Sequence, residues 1–290
     1  HDKIVEHEDL FNVSIKTKGV TNQKSSGRCW LFASLNLLRP KMIEKYDLSS
    51  FEFSQSYLAF WDKLEKANMF LEVMIELRDR DHLDRELTDF LRSPYGDGGW
   101  WHYTVDLIEK YGCVPKEVTP ETKSSSKTGM MNRLISTKLR KCASELRELN
   151  AGGASITELR GAKEEMLTEI YHMLTLNMGI PPTEFVWRYE DKDSTVSQPE
   201  KYTPQEFYSK VVDVDLRDYV TMTDHPSRPK YEMYAVKYTR NMYDHEDGAF
   251  LNVPIDSLKA YALKTLLDGE AVVFACDVGE DNANDKGIFR

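Results

Sequence analysis

The feature that most constrains the fold is a ten-residue apolar stretch, CWLFASLNLL, which runs from Cys29 to Leu38. Wound at 3.6 residues per turn, it is apolar on nearly every side, and Ser34 and Asn36 are its only polar interruptions. A helix without a polar face belongs inside a domain. The ring of Pro40 removes a backbone donor and restricts the preceding residue, so the helix is predicted to end or kink there.

The size and charge of the chain exclude several classes of protein. With 290 residues, 41% of them hydrophobic, the chain can bury the core of one large or two moderate domains. Its 38 basic and 48 acidic residues give a net charge of -10, which argues against a general binder of nucleic acid, because such binders need surplus positive charge. No apolar stretch approaches the roughly 20 residues that cross a bilayer, so no transmembrane helix is expected.

The four cysteines are far apart in the sequence, at Cys29, Cys113, Cys142 and Cys276. So few cysteines in so long a chain do not indicate a disulfide framework, which favours a reducing compartment and hence the cytoplasm. The last three stand in largely apolar surroundings and are predicted to be buried structural residues.

Helical patterns dominate the first two thirds of the chain. Helices are predicted over residues 51–77 and 100–111, the second closed by Gly112. The polar stretch 119–129 is predicted to be a flexible boundary. Beyond it, apolar residues recur at steps of three, four or seven, which predicts two amphipathic helices joined at Gly152 and Gly153.

Short β-like segments follow the Pro181-Pro182 pair, at residues 185–189, 219–222 and 234–238. A further helix is predicted over Ile255–Leu267 and a buried strand over Ala271–Cys276. The fold class is therefore α+β with a helical insertion. We divide the chain into a helical domain with its N-terminal lead-in (1–120), the helical insertion (121–182) and the start of a β-rich domain (183–290).

The segment NQKSSGRCWLFA, residues 22–33, has the pattern of a nucleophile site. Cys29 stands at the first turn of the buried helix, where free amides and the helix dipole favour a thiolate. Gln23 can turn its side-chain amide towards an oxyanion formed beside the Cys29 amide. Gly27 permits a close approach of backbone and substrate. The alternative, that Cys29 is one more small buried hydrophobic residue, does not account for this spacing.

The same residues resemble the active-site motif of papain-like cysteine peptidases, and their sequence is similar to that of the bleomycin hydrolase (aminopeptidase C) family. The resemblance extends over nearly the whole chain. It includes FEFSQ (51–55), DKLEKAN (62–68), DGG (97–99), EKYGCVPK (109–116), the proline pair and CDVG (276–279).

This resemblance implies a papain-like fold, with a helical domain that carries the nucleophile, a β-rich domain and an inserted helical region. It implies a cytosolic thiol aminopeptidase that acts on peptides and bleomycin-like amides, needs no metal or cofactor, and forms a homohexamer. Some relatives bind DNA, which the net charge here does not support. Gly98 and Gly99 are expected to hydrogen-bond an extended substrate through their backbone, and Asp97 and Trp30 are assigned to the same substrate site. Without the resemblance, a Gly-Gly pair is more often only a turn.

A thiolate of this type needs a histidine as general base and an asparagine to orient it. His172 falls at the usual spacing from the cysteine but points away from the apolar side of its helix, so it is expected to be a solvated residue. His225 and His245 stand in polar loops, and His102 is expected to form part of the cleft wall. The resemblance places the general base and the asparagine beyond Arg290, so this chain alone is expected to be inactive.

Two alternatives stay open at this point. One is a catalytically silent subunit, retained as a hexameric scaffold or a nucleic-acid binder. The other is an endopeptidase with the same nucleophile.

Overall fold

The computed structural model describes residues 10–276 and, for the backbone, two further strands at 282–283 and 288–289. Helices dominate the first two thirds of the described chain, and short strands follow. The helices are α1 (Cys29–Lys45), α2 (Gln55–Glu76), α3 (Arg85–Arg92), α4 (Trp101–Tyr111), α5 (Lys123–Ser126), α6 (Gly129–Ala151), α7 (Ile156–Met178), α8 (Pro204–Glu206) and α9 (Ile255–Leu267). A π-helical turn, Phe207–Val212, continues α8, and a 3-10 turn covers Leu216–Asp218.

The strands form three small sheets. They are β1 (Phe185–Trp187), β2 (Glu200–Tyr202), β3 (Met222–Thr223), β4 (Glu232–Ala235), β5 (Ala249–Asn252), β6 (Asn282–Ala283) and β7 (Ile288–Phe289). Strands β1 and β2 pair antiparallel, as do β6 and β7. In the third sheet β5 is central, parallel to β3 and antiparallel to β4, with Met233 opposite Leu251. The α+β class is confirmed, although β3 and β4 are shifted by two or three residues from the predicted segments.

Helix α1 lies inside the core, as its apolar sequence predicts, but it does not end at Pro40. The helix continues to Lys45. Leu38 before the proline and Met42 after it are both buried. Burial of apolar residues on both sides of Pro40 offsets the loss of one backbone hydrogen bond, which explains why the helix continues through the proline. The alternative expectation, a kink at Pro40, stays a prediction.

Helices α6 and α7 form the predicted amphipathic pair, and both pack against α2. Their inward faces are buried and join one continuous core with α1, α2 and α4. The chain turns between them at Gly152 and Gly153. The division of the chain into three parts stays a prediction, because packing into one core does not decide where domains begin.

The polar stretch 119–129 includes α5 and is held by hydrogen bonds, contrary to the expected flexibility, whereas a domain boundary there stays a prediction. Thr122 and Ser125 form a reciprocal capping box at the start of α5, and Ser125 is fully buried. The carboxylate of Glu121 pairs with the guanidinium of Arg28. The composition of this stretch is typical of a flexible linker. Its polar side chains are nevertheless hydrogen-bonded, both locally and to a residue that is distant in the sequence.

Helix α9 has the predicted bounds, and Gly269 follows it with φ 84°. The predicted buried strand over 271–276 is wrong. This segment pairs with no strand among the described residues, Phe274 is 78% exposed, and Cys276 is exposed. A short apolar run shows that a segment can be buried, but a strand also needs a partner. The Asp277–Gly279 part of the sequence motif lies outside the described residues.

The other two structural cysteines are buried, as predicted. Burial raises the pKa of the Cys113 thiol well above its ordinary value. Within residues 10–276, none of the helices combines the length and the apolar character that a membrane crossing requires.

Candidate active site

Cys29 is the first residue of α1, and its side chain is exposed. The carbonyl of Arg28 accepts hydrogen bonds from the amides of Leu31 and Phe32, which starts the helix. Amides in the first turn of a helix have no partner within that helix. The thiol therefore stands at the surface, at the positive end of a helix whose remaining body is buried.

Arg28, next to Cys29, is buried and held by several polar contacts. Its guanidinium donates two hydrogen bonds to the Glu121 carboxylate, at 3.0 and 2.9 Å, and a third to the Ser26 hydroxyl at 3.0 Å. The Arg28 side chain is 2% exposed. A bidentate pair of this kind fixes direction as well as distance, so the backbone is anchored immediately before Cys29.

The loop that carries Gln23 folds back on itself. The Ser26 hydroxyl donates to the Gln23 carbonyl at 2.7 Å, and Lys24 adopts a left-handed conformation with φ 56°. The side-chain oxygen of Gln23 is buried and has no hydrogen-bond partner within the described residues. Buried carboxamide oxygens without a partner are uncommon. This orphaned oxygen is an acceptor, and the oxyanion role predicted for the Gln23 side-chain amide stays a prediction.

Asp97 is the centre of the polar network beneath this loop. One carboxylate oxygen accepts from Lys63 at 2.5 Å and from the Asn132 amide at 2.9 Å. The other accepts from the Thr128 hydroxyl at 2.6 Å and from the backbone N–H of Gly27 at 3.1 Å. Burial raises the pKa of Asp97, but the charge of Lys63 and the hydrogen bonds outweigh it and hold the pKa below its ordinary value.

The turn at residues 97–99 also packs against Trp30. The indole N–H of Trp30 donates to the Asp97 carbonyl at 2.7 Å. A Cβ at Gly99 would lie 2.5 Å from the Trp30 ring, whereas a Cβ at Gly98 would meet nothing within 4 Å. Lys66 donates to the Gly98 carbonyl at 2.6 Å.

Two of the predicted substrate-site residues make contacts within the protein. The Asp97 carboxylate has protein donors on both oxygens, and the Trp30 ring is buried next to Gly99. Their assignment to a substrate site stays a prediction. Gly98 borders open space, and a substrate-binding role for Gly98 and Gly99 through their backbone stays a prediction.

Sequence analysis missed the residues that hold Asp97, namely Lys63, Thr128 and Asn132. One signal was available: Lys63 stands in a helical stretch that is otherwise rich in apolar residues, and a lysine there needs an anionic partner. Nothing in the sequence indicates that the partner is 34 residues away.

The histidines lie in other surroundings. His102 packs beneath Gly248 and hydrogen-bonds the Thr239 carbonyl, and burial lowers its pKa against the opposing effect of that bond. His172 is exposed on α7, as expected, and His225 and His245 bond to neighbours in their own loops. Within residues 10–276, no histidine is hydrogen-bonded to Cys29.

Two adjacent tryptophans at the start of α4 differ in their surroundings. Trp100 is exposed and lies edge-on to Phe250, while Trp101 is partly buried against Tyr219. In the part of the chain that the structure describes, no group of three or more His, Cys, Asp or Glu side chains is arranged to hold a metal ion.

Comparison with known proteins agrees with this geometry. A sequence model of the family described as Peptidase C1-like matches residues 2–290. The chain belongs to this family. It is 39% identical over 287 residues to aminopeptidase C of Streptococcus thermophilus, covering 98% of this chain and 64% of that protein. It is 38% identical over 270 residues to bleomycin hydrolase of Homo sapiens, covering 91% of this chain and 59% of that protein.

A solved structure supports the papain-like fold. The crystal structure of PepW from Lactobacillus rhamnosis HN001 superposes with a TM-score of 0.94 and 40% sequence identity, over 97% of this chain and 64% of that one. The chain thus spans less than two thirds of the length of these relatives.

Proposed function

We propose that the protein containing this chain is a thiol aminopeptidase, which removes N-terminal residues from peptides and hydrolyses bleomycin-like amides. The observation that carries the proposal is an exposed cysteine at the first position of a buried helix. The relatives named aminopeptidase C and bleomycin hydrolase support the same activity.

In this reaction the Cys29 thiolate attacks the carbonyl of the first peptide bond, and the carbonyl oxygen becomes an oxyanion. The Gln23 side-chain amide and the Cys29 backbone amide donate hydrogen bonds to that oxyanion. The tetrahedral intermediate then expels the amine, which takes a proton from an imidazolium. Water hydrolyses the resulting thioester and releases the N-terminal residue.

The imidazolium and its orienting asparagine are proposed to come from residues outside this chain. Two observations support this: the His102 ring is hydrogen-bonded to the Thr239 carbonyl, and no hydrogen bond joins His172 to Cys29 within the described residues. The finer features are proposals on the same footing: peptide substrates aligned along the backbone of Gly98 and Gly99, a cytoplasmic location, and a homohexamer in the complete protein.

Replacement of the nucleophile tests the proposal. In the complete protein, Cys29→Ser should reduce aminopeptidase turnover by about 10³-fold or more, because a serine hydroxyl is a far weaker nucleophile at neutral pH. The matched control is Cys276→Ser, which replaces another exposed cysteine and should leave turnover unchanged. Turnover that survives Cys29→Ser would refute the proposed function.

A peptide blocked at its amino end separates the two types of peptidase. An aminopeptidase should leave this substrate intact while it degrades the unblocked peptide. Cleavage of both at similar rates would identify an endopeptidase. A complete protein that cleaves neither peptide would favour the silent scaffold.

A further inference from the structure

We propose that Asp97 is a positioning residue for the nucleophile, and that it connects the segment around Cys29 to the start of α6. The proposal rests on the proposed thiol peptidase function and adds to it the group that holds the attacking sulfur in place. The substrate-contacting role suggested by the DGG motif is thereby replaced by a role beneath the site.

The contacts of Asp97 lie on both sides of Cys29 in the sequence. Its carboxylate accepts from the N–H of Gly27, two residues before the cysteine. Its backbone carbonyl accepts from the indole of Trp30, the residue after the cysteine. A single residue thus holds the segment that begins α1 at two points, and Cys29 lies between them.

The approach at Gly27 is close enough to depend on glycine. A Cβ built there would lie 3.0 Å from the Cβ of Asp97. This spacing is tighter than ordinary van der Waals contact, so any side chain at position 27 would push the loop away from Asp97. The glycine that the sequence motif carries is explained by this contact.

The carboxylate is itself rigidly held. Its donors come from three parts of the chain: Lys63 on α2, Thr128 and Asn132 at the start of α6, and the Gly27 loop. Each oxygen accepts two hydrogen bonds, which uses the acceptor capacity of a carboxylate. The side chains of Lys63 and Asp97 are 1% and 10% exposed, so water competes little for these bonds.

A displacement of this network would move the sulfur relative to the oxyanion donors. Attack on a carbonyl requires reacting atoms within about 3 to 3.5 Å, and a misplacement of about 1 Å can cost about 100-fold in rate. Loss of the Asp97 contacts should therefore lower kcat more than it weakens substrate binding.

A second buried pair on the same helix provides the matched control. Glu72 of α2 accepts from Lys163 of α7 at 2.7 Å, and Lys163 also donates to Asn68. Both side chains of this pair are less than 10% exposed. The composition matches that of the Lys63, Asp97 and Asn132 cluster, but none of these contacts reaches the nucleophile loop.

The experiment compares Asp97→Asn with Glu72→Gln in the complete protein. Thermal melting, kcat and KM are measured for each variant. Both variants should lose thermal stability. Only Asp97→Asn should lower kcat, by about 10- to 100-fold, with KM within about twofold.

Thr128→Val serves as a second variant in case Asp97→Asn does not fold. It removes one donor to the carboxylate at nearly constant volume and should lower kcat by about 3- to 10-fold. The positioning role would be overturned if Asp97→Asn, or Thr128→Val in its place, lowered kcat no more than Glu72→Gln does. It would also be overturned if neither Asp97→Asn nor Thr128→Val lowered kcat. The proposed function fails separately, if Cys29→Ser keeps its turnover.

Discussion

Gly99→Ala adds one methyl group where the structure has no room for it. The new carbon would lie 2.5 to 2.8 Å from three atoms of the Trp30 ring. The ring cannot move aside freely, because its N–H is bonded to Asp97 and its face is packed against the edge of Tyr103. Overpacking of this kind costs about 1 to 3 kcal/mol.

Gly98→Ala is the matched control, because its methyl would meet no atom within 4 Å and neither glycine adopts a left-handed conformation. With an unfolding entropy of roughly 2.1 cal/mol/K per residue, 290 residues give roughly 0.6 kcal/mol/K. A complete protein of the relatives' length, of which this chain covers 64%, has roughly 0.9 kcal/mol/K. Gly99→Ala should therefore lower its melting temperature by about 1 to 3 °C, and Gly98→Ala should change it by less than about 1 °C.

Scanning calorimetry of the complete protein measures both variants, and aminopeptidase assays at a temperature well below melting accompany it. Gly99→Ala should also lower kcat, since Trp30 adjoins Cys29. Equal melting temperatures for the two variants, or a larger loss for Gly98→Ala, would refute the packing described between Gly99 and Trp30.

Two further predictions concern stability. Gly112→Ala should lower the free energy of unfolding by more than about 3 kcal/mol, because φ is 72° and the new carbon would lie 2.1 Å from the backbone of Pro204. Gly153→Ala is the control: φ is 90° but the site is open, so the loss measured by urea unfolding should be only about 1 to 2 kcal/mol. The stability difference between the unchanged protein and Asp97→Asn should narrow as pH falls below about 4. The pKa of Asp97 is lower in the folded state than in the unfolded state. The ionised carboxylate therefore stabilises the fold at pH values above the unfolded-state pKa, and this stabilisation is lost as pH falls through the folded-state pKa. A constant difference in urea midpoints from pH 7 to pH 3 would contradict this assignment.

Several elements could be predicted because their signals are local. The apolar spacing and flanking glycines of α4 and α9 predicted these helices with bounds close to those observed. The spacing also predicted α6 and α7 as an amphipathic pair joined at Gly152 and Gly153. The apolar sequence of α1 required burial, and the order of Gln23, Gly27 and Cys29 predicted a nucleophile at a helix N-terminus.

Other elements depended on partners that are distant in the sequence. Pro40 lies within a helix because the residues on both sides of it are buried in the core. The polar stretch after Thr119 is ordered in part because the Glu121 carboxylate pairs with the guanidinium of Arg28. The apolar run after Ala271 is not a buried strand, since it has no strand partner among the described residues.

The sequence by itself determined that Cys29 begins a buried helix and predicted it as the nucleophile, because helix periodicity, capping and the first-turn position of Cys29 are properties of adjacent residues. Only the tertiary structure decided what holds that residue in place. Asp97 is 68 positions from Cys29, and its partners on α2 and α6 become neighbours only when the helices pack. A buried charge needs a hydrogen-bonding or oppositely charged neighbour. Tertiary packing determines which residue becomes that neighbour, and the local sequence does not.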